Sequence, residues 1–150
     1  MTSAAPEIVV PDLPDKVDYE AIAKRLGAFN ESKAGSSEFQ ELAILLREPG
    51  SGETIGGLWG RSAYGWVFVQ LMFVPEALRR RGLGSRLLQM AEKIGEQRGC
   101  GGIWLDTFSF QARGFYERHG YTVFGTLDDH PPGGKHFFLS KSLKVAGGAS

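Results

Sequence analysis

Along the chain the spacing of apolar residues switches between helical and strand-like, and the switches mark out the elements. In DYEAIAKRLGAF (18–29), Ile22, Leu26 and Phe29 recur at helical steps, which predicts a helix with Asp18 as its N-cap. Before it, EIVV (7–10) is a short apolar run closed by Pro11 and Pro14 and predicts a strand. The polar, Gly/Ser-bearing NESKAGSS (30–37) predicts a loop, with a short helical turn within it as the alternative. FQELAILLREP (39–49) and TIGGLWGRSAYG (54–65), joined by GSGE, predict a hairpin. WVFVQLMFV (66–74) is almost continuously apolar, the pattern of a strand covered on both faces.

After residue 80 the helical period returns, with Leu83, Leu87, Met90 or Ala91, and Ile94 on one stripe and Gly99 as its stop. GIWLDTF (102–108) predicts a strand and QARGFYERHG (111–120) a short helix. YTVFGTL (121–127) predicts another strand, DDHPPGGK (128–135) a loop and HFFLSKSL (136–143) the last strand. This order predicts an α/β fold, a mixed central sheet with helices on both faces. Its unit over 66–107 should be parallel with a right-handed crossover.

The bulk numbers narrow the class. At 150 residues and 42% hydrophobic, the chain predicts a single domain over 1–150, with frayed ends at 1–6 and 145–150. Lys plus Arg equals Asp plus Glu at 17 each, so no basic surplus supports nucleic-acid or anionic-membrane partners. Cys100 is the only cysteine, which excludes an intrachain disulfide and a Cys-rich metal site and fits a reducing compartment. No metal ligand set is evident. The N-terminal stretch lacks the pattern of a signal peptide, and no apolar run reaches the roughly 20 residues of a membrane span. A cytoplasmic protein is expected.

The segment RRRGLG (79–84) changes the picture from fold to chemistry. It stands between an apolar strand and an amphipathic helix, so its backbone N–H groups include the unpaired donors of a helix N-terminus. Gly82 and Gly84 carry no Cβ and permit close approach of a ligand. The flanking arginines suit phosphate oxygens, and the same residues equally suit a Gly-containing turn with solvated arginines. It is neither of two familiar phosphate loops: Ser85 and Arg86 stand where a P-loop needs Lys and Ser/Thr, and Leu87 replaces the third small residue of a dinucleotide fingerprint.

Arg79, Gly82 and Gly84 match the Arg/Gln-x-x-Gly-x-Gly/Ala signature of the GNAT acetyltransferase superfamily. Downstream, SFQARGFYERHGY (109–121) resembles that family's NxxAxxFYxxxGF landmark through Ala112, Phe115, Tyr116 and Gly120, with Ser109 at the Asn position and Tyr121 for Phe. The likeness is to small bacterial members and covers roughly 40–145. It implies the GNAT fold, with about six to seven strands and two central parallel strands splayed apart, and acetyl-CoA as acetyl donor.

Carried onto this chain, the resemblance implies that the backbone of Arg79, Arg80, Arg81, Gly82, Leu83 and Gly84, with Ser85, cradles the pyrophosphate. Met72, Phe73 and Val74 would pair with the pantetheine arm, and the Phe73 N–H would stabilise the oxyanion. Tyr116 would be the general acid to the departing CoA thiolate, a phenol being protonated at neutral pH, and Ser109 would bond the pantetheine. The apolar Met72 and Val74 equally suit a plain core strand.

A general base does not stand out. The strand at 66–74 has no carboxylate, and Glu53, Asp106, His119, His130, a water chain or bulk solvent remain open. Asn30, Glu31, Glu53, Asp129 and His130 are the candidate acceptor contacts. His119 reads as a solvated helix-end cation, Asp128, Asp129 and His130 as turn residues, and Cys100 as packing. The expected activity is direct transfer of acetyl to a primary amine of a small molecule or protein in a ternary complex. The alternative is a non-catalytic acyl-CoA-binding module. The family often dimerises, so a homodimer is among the expected assemblies.

Overall fold

The computed structural model describes residues 4–144. By internal contacts they fall into two compact units, one ending at Ser37 and one beginning at Glu38. The expected frayed end over 145–150, and residues 1–3 of the other, lie outside the described residues.

The first unit is built on one helix, α1 (Lys16–Ala34). Its cap is Asp15 rather than Asp18: the Asp15 carboxylate accepts from the Val17 N–H at 2.8 Å. Asp18 sits in the first turn instead, where its charge suits the positive helix end. The helix also runs on through 30–34, predicted as loop, because those residues include no glycine or proline to break it. Ser32 returns its hydroxyl to the Phe29 carbonyl at 2.6 Å, and Gly35, at φ 80°, ends the helix with its N–H on Glu31. Asn30 and Glu31 are therefore helical. Residues 7–10 form no strand; none of the six strands pairs with them, and a lone apolar run has nowhere to place its donors and acceptors.

The second unit holds β1 (Gln40–Arg47), β2 (Thr54–Ala63), β3 (Trp66–Phe73), α2 (Leu83–Gln97), β4 (Gly102–Phe108), α3 (Arg113–Arg118), β5 (Thr122–Asp128) and β6 (Lys135–Ser142). They make one six-stranded sheet in the order β1-β2-β3-β4-β6-β5. Only β3 and β4 run parallel; the other neighbours are antiparallel. α2 buries Leu87, Leu88 and Ala91 against Val67, Ile103, Leu105 and Leu139 of the sheet, each such side chain contributing roughly 1.5–3 kcal/mol of transfer free energy. Gly95 of α2 has no room for a Cβ, which would lie 2.8 Å from Val67 Cγ2. At the helix end, Arg98 donates to the carbonyls of Gln40 and Glu41 and to Ser62 Oγ, pinning α2 to the β1–β2 edge.

Two local features shape the middle of the sheet. Trp59 faces Leu71 while Gly60 faces Val69, so Gln70 is an extra residue bulged out of β3, and a bulge bends the strand that carries it. Immediately there the β3–β4 ladder stops: its pairs run from Trp66–Gly102 to Val69–Leu105 and no further. Beyond them β3 keeps only β2, and β4 keeps only β6. The central parallel strands are splayed.

Candidate active site

The candidate site is the mouth of that gap, and three segments carry the residues singled out from the sequence. On the helix side, α3 places Tyr116 so that its hydroxyl donates to Met72 Sδ at 3.8 Å across the opening. Tyr116 is buried, and burial is the main cause that raises its pKa above the ordinary phenol value, with the Asp106 carboxylate a second cause. Both keep it protonated. α3 is shorter than predicted because Gln111 lies outside it: its Oε1 accepts from the Phe108 N–H at 2.6 Å and from Thr107 Oγ1 at 3.1 Å, tying the end of β4 into the turn.

The loop from β3 to α2 is the second segment. Arg79 does not reach outward. Its N–H bonds the Glu76 carbonyl, its Nε donates to the Val74 carbonyl at 2.9 Å, and its guanidinium lies 5.7 Å over the Phe73 ring. Arg79 thus braces the end of β3. From Arg80 to Ser85, by contrast, no acceptor among the described residues takes a backbone N–H. Arg80 and Gly82 both adopt left-handed backbone, at φ 65° and 76°. Arg80 and Arg81 are exposed and pair with no carboxylate among the described residues.

The two glycines differ in role. A Cβ on Gly82 would meet nothing within 4 Å, so this position faces open space and needs glycine for its φ. A Cβ on Gly84 would sit 3.3 Å from the Phe115 ring and 3.6 Å from Met72 Cε, so its space is filled by the protein itself. Leu83 opens α2. Ser85 Oγ is 2.8 Å from His119 Nε2, joining α2 to α3; His119 is half-buried against Phe115, not the solvated helix-end cation that its position suggests.

The third segment is the β5–β6 loop with its neighbours. Ser109 Oγ accepts from the Lys135 N–H at 3.0 Å, and its own N–H donates to the Lys135 carbonyl, which fastens the start of β6 to the end of β4. Asp129 Oδ1 accepts from the Gly133 N–H at 2.7 Å, and Asp128 pairs with Lys135. His130 is more than a turn residue: its Nδ1 lies 3.2 Å from Nδ1 of His136, whose Nε2 lies 2.7 Å from Asp106 Oδ2. Two of the base candidates, Asp106 and His130, are thus brought together by a residue that sequence reading passed over.

Glu53 is exposed in the β1–β2 hairpin, and Asn30 and Glu31 belong to the first unit. Cys100 is buried, and burial raises its thiol pKa against a smaller opposing effect of Arg98, so it is an inert packing residue. Glu92 was also missed; it accepts from the buried Tyr121 hydroxyl at 2.8 Å and from Lys141 at 3.0 Å, binding α2 to β6. Among the described residues there is no cluster able to hold a metal and no helix long and apolar enough to cross a membrane.

The comparisons agree with this geometry. A model of the acetyltransferase (GNAT) family matches residues 14–121. The chain is 40% identical over 133 residues to the acetyltransferase Atu2258 of Agrobacterium fabrum, covering 89% of this chain and 96% of that one. It is 43% identical over 93 residues to the blasticidin-S acetyltransferase of Streptomyces morookaense, covering 61% of this chain and 68% of that one. A solved structure from Agrobacterium tumefaciens superimposes with a TM-score of 0.87 at 38% identity, over 92% of this chain and all of that one. A splayed parallel strand pair, an open donor loop at a helix start and this kinship have one reading: the chain belongs to the GNAT family and is an acyltransferase that draws its acetyl group from acetyl-CoA.

Proposed function

We propose that the acceptor is a primary amine and that acetyl passes to it directly, with donor and acceptor bound together. The observation that carries the donor side of this reading is the run of N–H groups from Arg80 to Ser85 that find no acceptor among the described residues, on the loop that leaves β3 beyond its last pair with β4. The residues fit acetyl-CoA: the open space beside Gly82 is a cradle that a Cβ would begin to fill, and Arg80 and Arg81 are free to meet phosphate. The backbone of Arg80 to Ser85 holds the pyrophosphate. Met72, Phe73 and Val74, on the strand edge that β4 has left, hold the pantetheine arm, and Ser109 offers its hydroxyl proton to it.

Bound acetyl-CoA supplies the acetyl group as an activated thioester. Phe73 turns its carbonyl toward Gly56 of β2 and its N–H lies on that same side of the strand, so the donor for the thioester oxygen is not the expected Phe73 N–H but that of Met72, on the open side of β3. Tyr116 holds at Oη the proton that the leaving sulfur requires, and its raised pKa keeps that proton in place at neutral pH. The buried, unactivated Cys100 offers no nucleophile, which supports direct transfer. The Streptomyces relative is named for blasticidin S, so blasticidin S belongs beside polyamines, aminoglycosides and peptide N-termini in an acceptor panel.

The test has two steps. Acetyl-CoA at about 100 times its dissociation constant should stabilise the fold by roughly 2.7 kcal/mol, seen as a rise in Tm. An amine panel should then release free CoA and form an amide. Tyr116→Phe should lower kcat by about 10²-fold while acetyl-CoA affinity stays within twofold. Acetyl-CoA bound without turnover of any amine would defeat the acceptor reading, and full turnover by the Tyr116 variant would remove its role.

A further inference from the structure

β3 carries no carboxylate, so an ammonium acceptor must lose its proton to some other group. On β4, Leu105 and Thr107 turn their side chains into the core, and the alternation sends Trp104, Asp106 and Phe108 to the opposite face. Asp106 is the first β4 residue after Leu105, where β3 departs. Across the β4–β6 ladder, Phe108 faces His136 and Asp106 faces Phe138, which puts His136 on that same face. Asp106 Oδ2 meets His136 Nε2 at 2.7 Å, and His136 Nδ1 meets His130 Nδ1 at 3.2 Å.

We infer that Asp106, His136 and His130 form a proton relay whose outer end, Nε2 of His130, takes the proton of the acceptor ammonium. This rests on the amine-acceptor reading above. The relay assigns the ring protons, which the two contacts by themselves leave open. A carboxylate can only accept, so His136 donates its Nε2–H to Asp106. The neutral His136 ring then has a bare Nδ1, which accepts from the Nδ1–H of His130. His130 is left with a lone pair at Nε2. One N–H bond of the ammonium breaks, its electron pair stays on the amine nitrogen, and the proton goes to that lone pair. The His130 cation that results is stabilised through His136 by the Asp106 charge.

The packing fits a poised base. His136 is 7% exposed, held between the Phe108 ring at 4.5 Å and the Phe138 ring at 4.6 Å. His130 stands edge-on to both Phe108 and His136, at 5.3 and 4.8 Å, yet is itself exposed and so reachable by an acceptor. The other charged groups of this corner are occupied: Asp129 by the Gly133 N–H, and Asp128 and Lys135 by each other. Asp106 follows the last β4 residue paired with β3, which places the inner end of the relay where the two strands part. His130 is a catalytic residue in this scheme, while Asp106 and His136 are positioning residues.

Long-range ¹H–¹⁵N spectra of the histidine rings in the free protein read the relay without any acceptor. They should show His136 protonated at Nε2 and His130 at Nδ1, and Asp106→Asn, whose amide can donate, should move the His136 proton to Nδ1. In kinetics with the fastest amine of the panel, His130→Gln should lower kcat/KM by about 10²–10³ at pH 7 with acetyl-CoA affinity unchanged. That deficit should shrink above pH 9, as more of an amine with a pKa near 10 is already free. Unchanged ring tautomers in Asp106→Asn, or a His130→Gln variant as fast as wild type at pH 7, overturn the relay. Wild-type protein that binds acetyl-CoA but acetylates no amine overturns the acceptor reading instead, and the proton-accepting role with it.

Discussion

Two loops of the second unit, 79–84 and 129–134, look alike in sequence and behave in opposite ways. Each contains two glycines and one non-glycine residue in left-handed backbone, Arg80 at φ 65° and Asp129 at φ 56°. The 129–134 loop satisfies itself. Asp129 holds the Gly133 N–H, the Pro131 carbonyl holds the Gly134 N–H at 2.7 Å, and His130 leans on His136. The 79–84 loop holds back its donors: among the described residues the Arg79 N–H has an acceptor and those from Arg80 to Ser85 have none. Glycine content does not separate a loop with open donors from a loop that satisfies its own.

The largest test of this contrast is a matched pair of substitutions. Gly82 at φ 76° and Gly133 at φ 82° both face open space, so alanine at either meets no clash and costs only its left-handed backbone, about 1–2 kcal/mol. Both variants should lose comparable stability in denaturant unfolding. Their ligand behaviour should part company. Gly82→Ala puts a methyl group into the open loop and should weaken acetyl-CoA by about tenfold, equivalent to about 1.4 kcal/mol by calorimetry. Gly133→Ala should leave that affinity untouched. Equal loss of affinity in both would mean that the two loops do not divide the work as described.

A smaller effect is expected from Asp129→Ala. It removes one exposed hydrogen bond, to the Gly133 N–H, and should cost about 0.5–1 kcal/mol of stability. Because that bond shapes the loop carrying His130, kcat/KM for the amine should also fall, by about threefold to tenfold, again with acetyl-CoA binding unchanged. Lost acetyl-CoA affinity in this variant would blur the two loops' roles.

The loops also show what could be read from the chain and what could not. The bounds of β4 and the start of α2 follow from period alone, because each is a long pattern with a clear stop. The expectation that RRRGLG holds phosphate followed from its place between an apolar strand and an amphipathic helix, together with the FYERHGY landmark downstream. The exceptions have local causes too. Residues 7–10 have strand composition but no neighbour to pair with, and NESKA is polar yet contains nothing that breaks a helix. The relay was illegible for a different reason. Asp106 and His136 are 30 residues apart and meet only because β6, not β5, lies beside β4. No period, spacing or composition encodes that choice of neighbour. The same holds for Arg79, whose guanidinium matches a phosphate-binding motif in sequence but is taken up by the Val74 carbonyl in space.

The smallest expected effect tests whether the 129–134 loop relies on charge at its rim. Lys135 and Asp128 form an ion pair at 2.7 Å, with their side chains 56% and 79% exposed. At such exposure solvent screens most of the attraction, and the pair should contribute at most about 0.5 kcal/mol. The Lys135 backbone is what matters: its N–H and carbonyl are bonded to Ser109, and no side-chain change removes them. Lys135→Ala should therefore unfold within about 0.5 kcal/mol of wild type and keep both acetyl-CoA affinity and amine turnover. A loss of turnover without a loss of stability would show the Lys135 charge acting on the acceptor or on His130. The loop would then work by its field as well as by its geometry.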